Sequence, residues 1–301
     1  MIKRVFLFVA TNIAIMVMVS IVLAVLGQLG VFQMAGGHAS LLILCAVWGF
    51  GAALVSLLIS RWMAKRAMGV KLVDGRTGNA DLDWLHNRVG QLAQAANLPM
   101  PEVGYYDSPE VNAFATGPSK KRSLVAVSTG LLRQMDKREV EGVLAHEVSH
   151  IANGDMVTMT LIQGVVNAFV LYLSHIVAMI ARNALSSRDE RGPSFLGVMA
   201  GHLVFIAAQI AFGLLGSMIT AWFSRQREFR ADAGGAGLAG QGAMVGALRR
   251  LKSFQGQVDN QRSPELATLK IAGTGGLMAL LSTHPPLEVR IAALEGRAQG
   301  L

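Results

Sequence analysis

The segment GVLAHEVSHIANGDM, residues 142–156, places two histidines four positions apart, with Glu147 directly after the first. On an α-helix each residue advances by about 100°, so the imidazoles of His146 and His150 lie on one face and can reach a single ion. Glu147 then lies beside them, close enough to take a proton from the attacking water and pass it to the leaving amine. The pattern predicts metal-assisted hydrolysis. An amphipathic helix with two histidines on its polar face is the plainer alternative.

The kind of metal follows from the ligands that the chain offers. Cys45 is the single cysteine, which excludes an intrachain disulfide and a thiolate cluster. Histidine and carboxylate ligands suit zinc, and a catalytic zinc keeps three protein ligands and one open position. The segment SRQREFRAD, residues 224–232, offers Glu228 as the third ligand. Asp232, one turn later on the same face, is placed to accept the far N–H of a ligating histidine. Pairing of both carboxylates with the neighbouring arginines is the alternative.

Long apolar blocks flank these motifs. The sequence is 52% hydrophobic and only 15% charged, and soluble domains are nearer a quarter charged. Blocks without any Lys, Arg, Asp or Glu are long enough to cross a hydrocarbon core of about 30 Å. There are four of them: Val5–Leu26, Ser40–Ser60, Met156–Ala181 and Phe195–Phe223. If the third and fourth blocks run antiparallel as neighbours, they bring Glu228 beside the two histidines.

Lysine and arginine at the ends of the blocks predict their orientation. Lys3 and Arg4 precede the first block, and basic residues follow the second and the fourth. This places the N-terminus and both long polar segments in the cytoplasm. Arg182, Arg188 and Arg191, between the third and fourth blocks, go against the pattern. A shallow hairpin therefore stays an alternative to two full crossings.

The net charge of +8 does not indicate a nucleic-acid partner. The basic residues cluster at the ends of the blocks, where they set topology and meet the lipid headgroups of the bilayer. A basic stripe with interleaved aromatic residues is missing from the sequence. His175 and His202, inside the third and fourth blocks, leave a metal transporter or sensor as a competing class. A neutral imidazole hydrogen-bonded to a neighbouring helix is the plainer explanation of each.

The polar segments are predicted to form one domain between and after the apolar blocks. Short β-type runs separated by Pro, Gly and Ser precede the HExxH helix, and they indicate a small antiparallel sheet. Asp136 and Glu139 form a capping-box pattern at the start of that helix, and Gly154 ends it. We therefore expect residues 1–60 to form two transmembrane helices, 61–155 the first half of the catalytic domain, 156–223 a transmembrane hairpin, and 224–301 the second half.

Four motifs together resemble one known family. NAFATG, HEVSHIANGDM, SRQREFRADAGGA and STHPPLEVRIAAL are similar to the motifs of the HtpX family of integral membrane zinc metalloproteases, which is related to the CAAX prenyl proteases. The resemblance covers essentially the whole chain. It implies an α+β fold of four transmembrane helices and a mainly helical, zincin-like catalytic domain. It also implies that His146, His150 and Glu228 bind one zinc ion per chain and that Glu147 is the catalytic glutamate.

The resemblance further implies a biological role. The protein would be a multi-pass zinc endopeptidase of the bacterial inner membrane, with its catalytic side in the cytoplasm, that degrades misfolded or damaged membrane proteins. A dedicated processing protease for lipidated or membrane-anchored substrates is the alternative. That relative usually has more spans around a large intramembrane chamber, and four are too few for one. The cleavage rule and the oligomeric state are not predicted.

Two further motifs carry roles by resemblance. In the family, the first motif lies along the active-site cleft as an edge strand; here its residues are Asn112, Ala113, Phe114 and Ala115. Edge strands bind extended peptides through main-chain hydrogen bonds. His284 and Arg290 resemble positions near the zinc that hold the oxyanion or the substrate carbonyl. An ordinary strand, and a plain helix start at the two prolines after His284, are the respective alternatives.

Overall fold

The computed structural model of the protein describes residues 37–185, 195–261 and 280–298, together with five residues between 21 and 28. In chain order the described elements are α1 (Gly37–Met68), β1 (Lys71–Val73), α2 (Ala80–Ala95), β2 (Glu102–Tyr106), β3 (Ala113–Ser119), β4 (Arg122–Ser128), α3 (Thr129–Gln134), α4 (Lys137–Asn153), α5 (Asp155–Leu185), α6 (Phe195–Ala239), α7 (Gln241–Gln261) and α8 (Leu287–Ala298). The predicted α+β class, with a mainly helical catalytic domain and a small sheet, is confirmed.

The chain divides into two compact units, each built from two separate stretches of sequence. The first, which we call the apolar unit, comprises residues 1–56 and 160–220. The second, which we call the polar unit, comprises residues 57–159 and 221–301. All the predicted site residues belong to the polar unit.

In the apolar unit, α5 and α6 run antiparallel as neighbours. A methyl group on Gly216 would lie 2.6 Å from Val166 Cγ1, and the equivalent atom on Gly201 would lie 3.2 Å from Arg182 Cβ. Between these two points the rings of His175 and Phe205 are 4.6 Å apart. The residue numbers rise along α5 as they fall along α6, so the two helices form the antiparallel pair that the sequence predicted.

Three helices of the described residues, α1, α5 and α6, are long and apolar enough to cross a membrane. At 1.5 Å per residue the 31 residues of α5 measure about 46 Å, which is long enough for a full crossing of the hydrocarbon core. The first predicted block, Val5–Leu26, lies almost wholly outside the described residues. Three such helices indicate a multi-pass membrane protein.

The sheet of the polar unit has the strand order β1-β2-β4-β3. β1 pairs antiparallel with β2, and β3 pairs antiparallel with β4. β2 and β4 are parallel, however, with Glu102 opposite Leu124 and Tyr106 opposite Ser128. The prediction of a purely antiparallel sheet is therefore wrong, and the sheet is mixed. The six residues of β4 from Ser123 to Ser128 are all buried, and a strand buried on both faces gains from a partner along each edge.

Helices cover both faces of this sheet. On one face, Val103 and Val125 pack with Leu85 of α2 and Leu144 of α4 in the main core. On the other face Tyr106 and Leu124 pack, with smaller neighbours, against Ala64 and Met68 at the end of α1.

The helix α4 begins as predicted: the side chain of Asp136 accepts from the amide of Glu139, and the side chain of Glu139 accepts from the amide of Asp136. Gly154 ends it in the left-handed conformation, with φ of 69°.

The close approach of α4 to α7 depends on Gly142. A methyl group there would collide with the carbonyl oxygen of Ala243 and would lie 3.0 Å from Ala247 Cβ. We expect Gly142→Ala to destabilise the protein by about 1–3 kcal/mol, since backbone on α7 cannot move aside without disturbing the core. Thermal unfolding in detergent measures this.

The matched control lies on the partner helix. Gly246→Ala adds the same methyl group where nothing lies within 4 Å, so it should be neutral or stabilise by about 0.5–1 kcal/mol. Equal unfolding temperatures for the two variants would contradict a tight α4–α7 contact.

Candidate metal centre

His146 and His150 lie one turn apart on α4, as their spacing requires. Both are buried, and their Nε2 atoms are 3.1 Å apart. The rings meet edge to face, with centroids 4.6 Å apart. Two imidazole nitrogens that turn toward the same point from one rigid helix form half of a tetrahedral metal site.

The third donor comes from α6. Glu228 is 1% exposed, and its Oε2 and Oε1 atoms lie 3.5 Å from His146 Nε2 and 3.4 Å from His150 Nε2. One donor atom from each of the three residues lies within 4.8 Å of the others. The structure thus brings together the three predicted ligands, although Glu228 is far from the histidines in sequence. No other such group of His, Cys, Asp and Glu occurs in the part of the chain that the structure describes.

Glycines allow α6 to approach α4 closely enough for this contact. A methyl group on Gly234 would lie 2.8 Å from Ser149 Oγ, and one on Gly235 would lie 3.1 Å from the amide nitrogen of His146. The run AGGAG one to five positions after Asp232 therefore has a structural reason. Side chains at these positions would push the carboxylates of α6 away from the histidines.

A carboxylate holds the far nitrogen of each histidine. His146 Nδ1 lies 3.0 Å from Asp232 Oδ1, and His150 Nδ1 lies 2.6 Å from Asp155 Oδ2. With both Nδ1 positions taken, each ring presents its Nε2 to the metal, and the carboxylates fix the ring orientation. The structure places Asp232 where the sequence predicted it. The sequence left Asp155 without an assigned role, although an acidic residue directly after the helix-ending Gly154 could have suggested one.

Arg290 of α8 contacts the two carboxylates that α6 contributes to the centre. Its Nε donates to Asp232 Oδ2 at 2.8 Å and its Nη2 to Asp232 Oδ1 at 2.6 Å, while Nη1 lies 3.3 Å from Glu228 Oε2. The guanidinium is buried and points toward these two carboxylates, with Nη2 also 3.4 Å from His146 Nδ1. The sequence predicted that Arg290 holds the oxyanion or the substrate carbonyl. This geometry favours a positioning role, because the fork that would meet substrate is occupied.

Comparison with known proteins identifies the family of the protein that carries this centre. The family model described as Peptidase family M48 matches residues 79–298, which contain every residue of the centre. The chain belongs to peptidase family M48. The M48 peptidase is 50% identical to the Protease HtpX of Shewanella sp. (strain ANA-3) over 295 residues, which cover 98% of this chain and 100% of that protein. It is 51% identical to the Protease HtpX of Shewanella loihica over 297 residues, with 99% and 100% covered.

More distant likenesses agree. The Protease HtpX homolog of Methylacidiphilum infernorum is 48% identical over 301 residues, covering 98% of this chain and 99% of that protein. The crystal structure of S. mikatae Ste24p is similar with a TM-score of 0.66 and 18% identity over 98% of this chain. This chain spans 65% of the length of that one, and at such identity the likeness concerns the fold alone. The predicted membership of the HtpX family is confirmed, and the protein is a membrane metalloprotease.

The donor set of the M48 peptidase fits a transition metal. Two imidazole nitrogens and one carboxylate oxygen suit zinc, whereas calcium and magnesium prefer oxygen ligands throughout. The charges agree as well. Asp155, Glu228 and Asp232 are at most 2% exposed and Arg290 is 7% exposed. Three buried carboxylates and one guanidinium leave two negative charges, which one divalent cation neutralises.

The same charges act on the histidines in the absence of a metal. Burial by itself would lower the pKa of His150, but its hydrogen bonds with Asp155 and Glu228 outweigh burial and raise the pKa to about 9. Burial opposes protonation of His146 too, yet Asp232 and Glu228 hold its pKa above the ordinary value. Burial likewise opposes the charge of Arg290, and Asp232 holds its pKa above the usual range. Protons on the rings therefore compete with the metal.

Two predicted catalytic residues line the exposed side of the centre. Glu147 is half-buried beside the ligands on α4. The side chain of His284 is 63% exposed, with its Nδ1 3.0 Å from Glu228 Oε2. Neither His175 nor His202 lies near this centre, and neither belongs to a metal-binding group among the described residues.

The predicted substrate strand lies at the edge of the sheet. β3 is the terminal strand, and Ala113 and Ala115 pack against the core that α4 shares. Asn112 precedes the strand; its amide donates to Ser128 Oγ at 3.1 Å, and its carbonyl accepts from the amide of Ser128 at 2.9 Å. Phe114 points to the other face, where its ring lies 5.7 Å from that of Tyr106.

Removal of one outer carboxylate should weaken metal binding. In Asp155→Asn the hydrogen bond to His150 loses its charge, so we expect about 10- to 100-fold weaker zinc affinity. Metal content after dialysis against graded chelator measures it. Asp74→Asn, at an exposed aspartate of the same unit, is the control and should bind zinc as the parent does. Full affinity in Asp155→Asn would contradict the role that we give Asp155.

Zinc affinity should rise with pH from about 6.5 to about 9. Because the pKa of metal-free His150 is raised from 6.5 to about 9, its ring carries a proton across this window, and metal binding must displace that proton. Each displaced proton makes the affinity increase by about tenfold per pH unit. Competition with a chromophoric chelator in detergent follows the curve. An affinity independent of pH below 9 would contradict the raised pKa.

Proposed function

We propose that this M48 peptidase is a zinc-dependent endopeptidase of the bacterial inner membrane that degrades misfolded or damaged membrane proteins. The observation that carries the proposal is the convergence of His146, His150 and Glu228, with the carboxylate of Glu147 beside them. The relatives, each named as Protease HtpX or its homolog, support the peptidase activity. The cytoplasmic orientation of the catalytic side rests on the lysine and arginine residues at the ends of the apolar blocks.

We assign the metal as zinc, one ion per chain, held by His146, His150 and Glu228. When bound, zinc acts as a Lewis acid that polarises the scissile carbonyl and makes water acidic enough to attack near neutral pH. The buried carboxylates of Asp232 and Asp155 keep the two imidazoles in the tautomer that presents Nε2. Arg290 keeps Asp232 and Glu228 in place from the opposite side.

Glu147 is the general base of the proposed reaction. It removes a proton from the attacking water and later delivers that proton to the leaving amine. Its position on α4, directly after one ligand and three residues before the other, holds the carboxylate beside the reacting carbonyl. Its partial exposure leaves it accessible to substrate.

His284 is the second catalytic residue. With its Nδ1–H donating to Glu228 Oε2 at 3.0 Å, the ring donates from Nε2 to the oxyanion that forms at the scissile carbonyl when it is in the imidazolium form, in which both ring nitrogens carry a proton. The exposure of the ring suits a group that meets substrate. Arg290, by contrast, acts through Asp232 and Glu228 and does not touch the reacting atoms.

The edge strand β3 binds the substrate backbone. An extended peptide added along Asn112–Ala115 would be held by main-chain hydrogen bonds, which carry little sequence preference. Such binding requires an unfolded or locally extended substrate. This suits an enzyme that removes misfolded proteins better than one that trims a single defined terminus.

Loss of the base should separate metal binding from catalysis. We expect Glu147→Gln to keep one zinc ion per chain but to lower kcat by about 10²–10⁴, because the amide cannot accept the proton. Metal analysis and cleavage of an unfolded protein substrate measure the two properties. Glu295→Gln, on a partly exposed glutamate whose side chain pairs with Arg249, should leave both unchanged.

Self-cleavage provides a second test of the same mechanism. We expect the intact enzyme, purified in detergent without metal, to fragment itself when zinc is supplied, and Glu147→Gln to remain whole. Electrophoresis and mass spectrometry follow the fragments. A Glu147→Gln protein that still fragments itself would rule out the role of Glu147 as base.

A further inference from the structure

His284 depends on the backbone around it, because its own side chain packs against little. The ring is 63% exposed, and its Nδ1 contacts Glu228. On its C-terminal side the chain is anchored by Pro285, which is buried, and by the start of α8, where the carbonyl of Pro286 accepts from the amides of Val289 and Arg290. The N-terminal side of His284 needs an anchor of its own.

Arg225 supplies that anchor. Its Nη1 donates to the carbonyl oxygen of Ser282 at 2.7 Å and to that of Leu280 at 3.1 Å. Ser282 in turn donates from Oγ to the carbonyl oxygen of His284 at 2.8 Å. Leu280, Ser282 and His284 are exposed, so burial does little to fix this segment. Hydrogen bonds from a charged donor are stronger than those between neutral groups, so two of them from one guanidinium can decide the conformation of a short exposed segment.

The position of Arg225 on its helix links it to the metal centre. It lies three residues before Glu228 on α6, so both side chains project from nearly the same face. Glu228 holds the ring of His284 at 3.0 Å, while Arg225 holds the backbone two and four residues before that ring. One helix therefore sets both the third metal ligand and the path of the segment that carries His284.

We propose that Arg225 is a positioning residue that holds the segment 280–284 so that His284 meets the reacting carbonyl. This inference rests on the proposed role of His284 in the peptidase reaction. Arg225 touches neither the metal ligands' donor atoms nor the predicted substrate strand; its effect on the reaction passes through the backbone of residues 280 and 282.

The kinetic test removes the donor and keeps the aliphatic stem. Arg225→Met should lower kcat by about 10- to 100-fold, with zinc content and unfolding temperature unchanged. Arg225→Lys, which keeps a charged donor, should recover most of that loss. The control is Arg230→Met, at an exposed arginine of the same helix, which should behave as the parent. A loss of zinc in proportion to the loss of activity would overturn the proposal.

A double-mutant cycle tests whether the effect passes through His284. In a His284→Ala background, where the residual activity is followed by mass spectrometry, Arg225→Met should change kcat by less than twofold. An equal loss in both backgrounds would overturn the proposal, because residues that act independently have additive effects. Full activity of His284→Ala itself would overturn it too.

A structural readout separates this inference from the proposed function. In zinc-loaded Glu147→Gln, which does not depend on turnover, hydrogen–deuterium exchange reports the amides of residues 281–284. Arg225→Met should make them exchange at least tenfold faster, while Arg230→Met leaves them unchanged. Unchanged exchange of these amides in Arg225→Met would contradict the proposed role of Arg225 and would leave the proposed function untouched. Cleavage of substrate by Glu147→Gln would contradict the proposed mechanism. The exchange experiment would still decide whether Arg225 orders the segment 280–284.

Discussion

The balance of buried charge at the metal centre is the constraint on which the rest of the polar unit depends. Glu228, Asp232 and Asp155 are almost wholly removed from water, and carboxylates so buried are very costly unless they are paired. Arg290 neutralises one of the three. The remaining two negative charges call for a divalent cation, or for protons on both imidazoles, and the raised pKa of His150 reports that second solution. A metal-free centre is thus held together by the protons that the metal must displace.

This constraint explains why the packing around the centre is so close. Each carboxylate must keep its partner, so α4, α6 and α8 have to meet within hydrogen-bond distance. Small residues make that possible: Gly234 and Gly235 admit α6 against α4, and Gly142 admits α7 against α4 one turn before His146. The ring of His150 is held by a residue close to it in sequence. Asp155 begins α5 directly after the glycine that ends α4, and its carboxylate contacts His150 Nδ1. Packing and electrostatics therefore select the same arrangement.

Local patterns made most of the centre predictable. The spacing of His146 and His150 fixes their shared face on any helix, and the pair Glu228 and Asp232 repeats that logic one helix later. The capping box and the C-cap glycine fixed the bounds of α4 to within a residue. Asp155 was not assigned, because its contact crosses a helix boundary, where the periodicity that guided the other assignments ends. The orientation of Arg290 was also beyond reach, since it depends on which of several carboxylates the guanidinium meets.

The sheet shows where sequence patterns give too little information. Alternation and turn residues locate β2, β3 and β4, but both an antiparallel meander and the observed order β2-β4-β3 satisfy them. What decides is long-range: β4 is buried throughout and takes a partner on each edge, which sends β3 to the outside. That choice leaves an open edge on the strand that the proposed function needs for substrate. The arrangement that sequence reasoning missed is therefore the one that frees Asn112–Ala115 from pairing on their outer side within the described sheet.

The order of the ligands along the chain has a consequence for assembly. The two histidines and Asp155 precede α5, whereas Glu228 and Asp232 lie at the far end of α6, after the antiparallel apolar pair. Until α6 is formed, His146 and His150 lack two of their carboxylate partners, and a buried imidazole without them has less reason to stay ordered. Arg290 comes later still, and it stabilises the centre only once both carboxylates of α6 are present. The complete set of ligands and their partners therefore requires that the segments before α5 and after α6 have both folded and come together.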